Sequence, residues 1–545
     1  MKLLGIVWIN KPLVTKVIYL LGVTALIYLA FSHWAYDDPF ITYRYADNIR
    51  HGLGFVYNSG ERVLSTTTPL FAVLLALLGT IWPDLPHLAN LIGALSLALG
   101  GVLLWDLGQS WDTPAVSWAG VLLYPTFPLV VSTLGSETPL YLAFCLGAFA
   151  FYARGKYRWA AVFSALAILT RADGILVPAL LGLDYLLQNV GRISNPTYKF
   201  LKDIPWRAVL FFIGILTPWF AFSWLYFGSP FPATLAAKQH QGLMSISTLF
   251  APGFLRVAGW YRFGWQYWVE AGLALMGMVW AVWRKRRWVT FLAWPLLYFA
   301  AYTYLGVTSY FWYYAPLVPG FVVAVGLGVS GIRDQGLGTR NQGSGTRNQG
   351  LGTRNQEPGN RDQELGSSQR SAVSGRWSAI LRHRSPVVGR WSSVIRHPSS
   401  VLTGVLLAAL AVAQVSALAR MRQSPDARLG IYRAVGEWLD ANTPPDASVG
   451  ALEVGIIGYY SHRSMVDFAG LIQPEVATQI GTDTTYEDTA VWAVKQYRPD
   501  YLIIHAETFP RLEDGYVTRH CQPERKFLSS THNFPTGILV YICDR

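Results

Sequence analysis

Apolar runs recur along this chain at about the length that crosses a lipid bilayer. They fall near 15–32, 88–107, 115–133, 138–153, 159–171, 173–189, 208–227, 267–283, 288–305, 312–331 and 400–419. A helix of about 20 apolar residues spans the hydrocarbon core. Backbone in lipid must satisfy its own hydrogen bonds, so such runs fold as helices. Only 14% of the residues are charged, against about 25% in soluble domains. The fold class predicted is a polytopic α-helical membrane protein of about 11 spans, followed by a small C-terminal α/β domain.

The run 69–82 lies between Pro69 and Pro83 and is too short to cross comfortably. It is expected as a re-entrant or interfacial helix on the outer side. With that choice, Arg154/Lys156/Arg158, Arg192/Lys199/Lys202/Arg207 and the "RKRR" run at 284–287 all face the cytoplasm, where basic loops belong. Lys2, Lys11 and Lys16 hold the chain start on the same side, and 15–32 reads as a retained span or signal anchor. The loops 33–87, 134–137, 228–266 and 306–311, and everything after 420, then face outward. The net charge of +12 falls largely in loops and in one insert, so no nucleic acid is expected as a partner.

Four regions follow. Residues 1–332 form a transmembrane domain with a first outer loop at 33–87. Residues 333–399 are an insert rich in Arg, Gly and Gln, with a seven-residue repeat ("GTRNQGS GTRNQGL GTRNQEP") and then "GRWSAILRH" and "GRWSSVIRH". No apolar seam accompanies the repeat, so it is no coiled coil, and its composition predicts a disordered cytoplasmic segment. Residues 400–420 form the last span. Residues 421–545 regain soluble character: "LGIYRAVGEWLDAN" before "TPP" predicts a helix, and "SVGAL", "SMVDFAG", "DYLIIHA" and "GILVYIC" predict strands. Cys521 and Cys543 share this domain. A disulfide in an oxidising compartment and two free thiols both fit.

The chemistry-bearing residues gather on the outer face. Asp37 and Asp38 follow the first span in "WAYDDPFITYRY". Asp38 before Pro39 suits a helix N-cap; a carboxylate beside the membrane also suits a general base for a hydroxyl. Arg44 in the same loop is available to a phosphate. Glu137 in "GSETPLY" opens a span and faces the same side, as a dipole-stabilising acid, a partner or a metal ligand. Arg171 and Asp173 interrupt the apolar run 159–189. They read as an internal ion pair or as a site for a lipid-linked phosphate. Lys238 follows "YFGSPFPATLAAK", as an interfacial anchor or a phosphate contact. No Walker loop, dinucleotide fingerprint or HExxH occurs, and the ten His lack zinc spacing. ATP-driven chemistry is therefore not supported.

Taken in order, "DDPFITYRYADNIRHGLGFVYNSGERVLSTTTPL", "GSETPLY", "LTRADG" and "YFGSPFPATLAAK" resemble the GT-C superfamily of polyprenyl-phosphate-sugar-dependent membrane glycosyltransferases. The likeness is to bacterial arabinofuranosyltransferase-like and mannosyltransferase-like members. Ala233 stands where the family pattern has Asn. The resemblance implies transfer of a sugar, with inversion, from a polyprenyl-phosphate donor to a hydroxyl of a glycan, lipid or protein. The reaction would occur at the extracytoplasmic face of the plasma membrane. It implies Asp37 or Asp38 as base, Arg44, Arg171 and Lys238 at the donor phosphate, and Tyr45, Asn58, Glu61, Glu137 and Asp173 in support. It admits, without requiring, a divalent cation held by Asp37, Asp38 and Glu137. The rival readings are a flippase or transporter of lipid-linked sugar and a non-catalytic glycan-binding membrane protein. The internal span repeats common in transporters are not evident.

Overall fold

The computed structural model describes residues 11–190, 204–344 and 398–544. Lys2, Arg192, Lys199, Lys202 and insert residues 345–397, with both Trp repeats, lie outside the described residues. Among the described residues, six helices are long and apolar enough to cross a membrane: Leu13–Phe31, Leu85–Ser110, Trp206–Phe227, Arg287–Leu305, Phe311–Ile332 and Val401–Arg422. This is fewer than the eleven expected. The run 115–133 is broken, because Pro125 and Pro128 remove backbone donors and clash with the preceding turn. It becomes the helices Pro114–Leu122 and Pro128–Val131. Thr138–Ala153, Tyr157–Thr170 and Leu176–Val190 are helices of 16, 14 and 15 residues, and Trp265–Arg284 has 20. The helix that begins at Val318 continues to Ser344.

The Pro69–Gly79 helix has 11 residues and is about 16 Å long at 1.5 Å per residue, half a bilayer core. Between Tyr157–Thr170 and Leu176–Val190 the chain breaks at Arg171, whose backbone is extended, and forms a short 3-10 turn over Ala172–Ile175. The expected polar break is therefore present.

The C-terminal domain carries one five-stranded sheet: β1 Ser448–Ala451, β2 Ser464–Asp467, β3 Tyr501–His505, β4 Cys521–Phe527 and β5 Ile538–Cys543. The order is β2-β1-β3-β5-β4. β1 pairs in parallel with β2 and β3, and β5 pairs antiparallel with β3 and β4. β4 was not foreseen. It is an edge strand, exposed along most of its length, with Pro523 beside a bulge, so it lacks the apolar alternation that betrays a strand. Cys521 and Cys543 form a disulfide joining β4 to β5.

The first outer loop and the C-terminal domain share one core. Phe40, Tyr43, Tyr45, Phe55 and Tyr57 pack in the same cluster as Ile431, Tyr432, Ile456, Ile457 and Met465. Polar bonds reinforce the seam. Asn58 accepts the Met465 N–H and donates to the Met465 carbonyl, each at 2.9 Å. It thereby extends the β2 edge with a side-chain amide.

Candidate active site

The helix Pro39–Arg50 opens with Pro39 at its first position, where a missing N–H costs nothing. Asp38 does not cap it. Its backbone is already helical (φ −53°, ψ −43°) and its side chain makes no cap bond. That carboxylate is left for other partners, and it lies 3.3 Å from the Lys238 ammonium. The Asp38 side chain is 31% exposed and that of Lys238 10%.

Asp37 is committed elsewhere. Its two oxygens accept the backbone N–H groups of Gly455 (3.2 Å) and Ile456 (2.8 Å) in the C-terminal domain. Burial, and next the Glu453 carboxylate, push its pKa up to about 7, while the Ile456 N–H opposes the rise. Burial also raises Glu453, against the pull of Arg428.

Asp38 stands at the junction of two cavities. The larger, about 380 Å³, is lined by Asp38, Glu137, Arg171, Asp173 and Lys238, with apolar walls that include Ile175, Phe231 and Leu235. All three wall residues lie at least partly at the surface. A ring of hydroxyls from Thr42, Thr66 and Thr68, bonded to one another at 3.0–3.2 Å, lines the same space. The smaller, about 140 Å³, lies against the C-terminal domain and is lined by Asp37, Asp38, Gln241, Arg428, Glu453 and Tyr486 among others. Among the described residues, Asp38 is the one carboxylate that lines both.

The two cations of the larger cavity are held differently. Arg171 is saturated: it donates to Asp173 (2.8 Å), Glu137 (3.1 Å), Thr138 (3.4 Å) and the Tyr302 hydroxyl (3.0 Å). Tyr302 in turn donates to Asp173 at 2.6 Å. Lys238 lies over three aromatic rings, 4.9 Å from the centroid of Tyr310, 5.3 Å from Tyr313 and 5.7 Å from Trp312. Such faces stabilise an ammonium, and Lys238 also hydrogen-bonds Tyr313. Two cations thus face three carboxyls, and burial raises the pKa of Glu137, with Arg171 opposing.

Asp38, Glu137, Arg171, Asp173 and Lys238 therefore meet, and four other expected site residues do not. Arg44 is buried and donates to the carbonyls of Tyr57 and Arg463, each at 3.4 Å; it braces the domain seam, away from both cavities. Tyr45 donates to the Val63 carbonyl at 2.5 Å and accepts the Ser65 N–H, so it shapes the turn behind the threonines. Asn58 serves β2, and the Glu61 carboxylate accepts from the Asn58 amide at 3.1 Å while its N–H donates to the Asn58 carbonyl at 3.2 Å. Nor do Asp37, Asp38 and Glu137 fit a divalent cation. Among the described residues no three His, Cys, Asp or Glu side chains group closely enough to hold one.

The aromatic cage was not foreseen, because "YFWYYAP" at 310–316 reads as the start of a span. Glu453 and Gln241 carry no local signal either. The 468–473 loop is folded by Asp467, which accepts the N–H groups of Ala469, Leu471 and Ile472. It delivers Leu471 to both cavities and the Ala469 carbonyl to Gln241 at 2.9 Å.

A family described only as a domain of unknown function, DUF8728, matches residues 419–540. No curated protein matches the sequence. Among solved structures, ArnT from Cupriavidus metallidurans bound to undecaprenyl phosphate is similar at a TM-score of 0.58 with 13% identity, over 96% of this chain and 97% of that one. AglB, an oligosaccharyltransferase of Archaeoglobus fulgidus in complex with an inhibitory peptide and a dolichol-phosphate, gives 0.52 with 14% identity, over 96% and 74%. The likeness extends over the membrane helices and the C-terminal domain together. This chain is a polytopic membrane protein with the GT-C fold.

Proposed function

We propose that the chain is a membrane glycosyltransferase that moves a sugar from a polyprenyl-phosphate donor to an acceptor hydroxyl at the extracytoplasmic face. The observation that carries this reading is the position of Asp38, beside Lys238 and between the two cavities. The lipid phosphates in the two similar structures support a lipid-phosphate donor. The Cys521–Cys543 disulfide supports an oxidising compartment for the C-terminal domain.

The donor lies in the larger cavity, with its chain leaving past the apolar wall. The acceptor approaches through the smaller cleft. Asp38 takes the proton of the acceptor hydroxyl as that oxygen bonds to the anomeric carbon. The bond from that carbon to the phosphate oxygen breaks, and its electron pair leaves with polyprenyl phosphate. Attack and departure from opposite faces invert the sugar. Lys238, whose donors are less committed than those of Arg171, meets the charge growing on the leaving phosphate. Arg171 acts through its field and holds Glu137 and Asp173 in place.

The test uses the purified full-length chain in liposomes with radiolabelled polyprenyl-phosphate sugars and added acceptor glycans. Label is expected on the acceptor, and Asp38→Asn is expected to slow its transfer by about 10²–10⁴. Transfer at the wild-type rate in Asp38→Asn would overturn the base assignment. Translocation of the donor without transfer would overturn the enzyme reading in favour of a flippase.

A further inference from the structure

A cleft of the C-terminal domain is basic and shares no lining residue with the two cavities beside Asp38. It encloses about 490 Å³ and is lined by Lys495, Arg498, Arg511, Arg519 and His520, with Asp544 as its one acidic wall residue. Three separate segments build it. Lys495 and Arg498 come from the end of the Tyr486–Tyr497 helix, where Arg498 turns the chain in the left-handed region at φ +45°. Arg511, Tyr516 and Arg519 come from 510–520, which includes a π-turn over Glu513–Val517. His520 and Asp544 flank the disulfide, and the Asp544 N–H donates to the His520 carbonyl at 2.8 Å.

Charge is left over in this cleft. Arg511 is paired with Glu487 and Asp488, each at 2.8 Å. Among the described residues, Lys495, Arg498 and Arg519 form no ion pair. The bland reading is that Lys495 and Arg498 complement their own helix C-terminus. That account leaves out Arg519, which comes from another segment into the same space. Lys495, Arg498 and Arg519 share the space with one wall carboxylate, Asp544, so positive charge is in excess there and an anion relieves the repulsion.

Position selects the kind of anion. The sheet docks on the first outer loop through its β2 edge, and the cleft lies by the ends of β4 and β5 at the opposite edge. Four strand spacings separate those edges, about 19 Å. A solvent-borne ligand reaches this edge more readily than a headgroup packed beside the membrane helices.

We propose that this cleft is an anion-binding site for a glycan that carries phosphate or carboxylate groups. That the anion is a glycan rests on the transfer reading, whereas anion binding is measured without donor and so stands or falls separately. The full-length chain in neutral detergent is titrated calorimetrically with inorganic pyrophosphate and, separately, with trigalacturonate at low salt. One saturable, salt-sensitive site is expected with at least one of them. Phosphate is the recognised group if pyrophosphate alone binds, and carboxylate if trigalacturonate alone does. Lys495→Ala/Arg519→Ala is expected to weaken binding roughly tenfold or more with an unchanged melting temperature. Arg525→Ala, a basic neighbour outside the cleft, is expected to leave binding intact. The proposal is overturned if neither probe binds at about 1 mM, if the double variant binds as wild type does, or if only dihexanoyl phosphatidylglycerol binds.

Discussion

The Asp37 carboxylate receives the Ile456 N–H at 2.8 Å, across 419 positions of sequence. Its neighbour Asp38 makes no such bond and faces Lys238. The acidic pair is thus divided between docking to the C-terminal domain and an ion pair that lines the larger cavity. Asp38→Asn is expected to lower transfer by about 10²–10⁴ with little change in melting temperature. Asp37→Asn is expected to retain more activity and to loosen the domain seam, seen as faster hydrogen exchange at Ile456. Equal losses of activity in the two variants would contradict this division.

The raised pKa of Asp37 ties that seam to pH. Its folded value is about 7 against 3.8 for an ordinary aspartate, so the folded state binds the proton more tightly. The stabilisation is complete below 3.8, shrinks as pH rises, and is gone above about 7. Wild type is expected to lose melting temperature between pH 5 and pH 8 relative to Asp37→Asn, whose amide does not titrate. Parallel profiles for the two proteins would refute the assignment.

Arg171 neutralises two carboxyls in a site where its own side chain is 7% exposed. Removing one member of such a network leaves charge buried and unpaired. Arg171→Ala is expected to cost about 3–5 kcal/mol of stability, read from denaturation in detergent. Lys238→Ala is expected to reduce transfer strongly while costing less stability, because its partner Asp38 is partly exposed. If Lys238→Ala is the more destabilising change, the two roles are reversed.

Gly455 touches Asp37 so closely that an added Cβ would overlap the Asp37 carbonyl and carboxylate oxygens. Gly455→Ala is expected to part the first outer loop from the C-terminal domain, lowering melting temperature and transfer together. Gly430→Ala meets nothing within 4 Å and serves as the matched control. An unchanged melting temperature for Gly455→Ala would show that the seam tolerates separation.

Much of this was legible in sequence where a pattern is local. Spans announce themselves by apolar length, the polar break at Arg171 by its charges, and four of the five strands by their apolar runs. The expected residues that do share one cavity are those whose chemistry stands out against lipid: Asp38, Glu137, Arg171, Asp173 and Lys238. Arg44, Tyr45, Asn58 and Glu61 belong to the same motif order but hold the loop and the seam, because a turn that presents a site needs residues to shape it. Glu453 and Gln241 were hidden for the opposite reason. They reach the cleft only through long-range docking, and nothing in their neighbourhoods marks it.

The docking seam also bears on the seven-residue repeat. The first outer loop and the C-terminal domain find each other through Asp37, Asn58 and a common core, so the covalent path between them does not set their geometry. A change in the number of residues between Ser344 and Pro398 is therefore expected to leave the Asp37–Ile456 contact and the melting temperature unchanged.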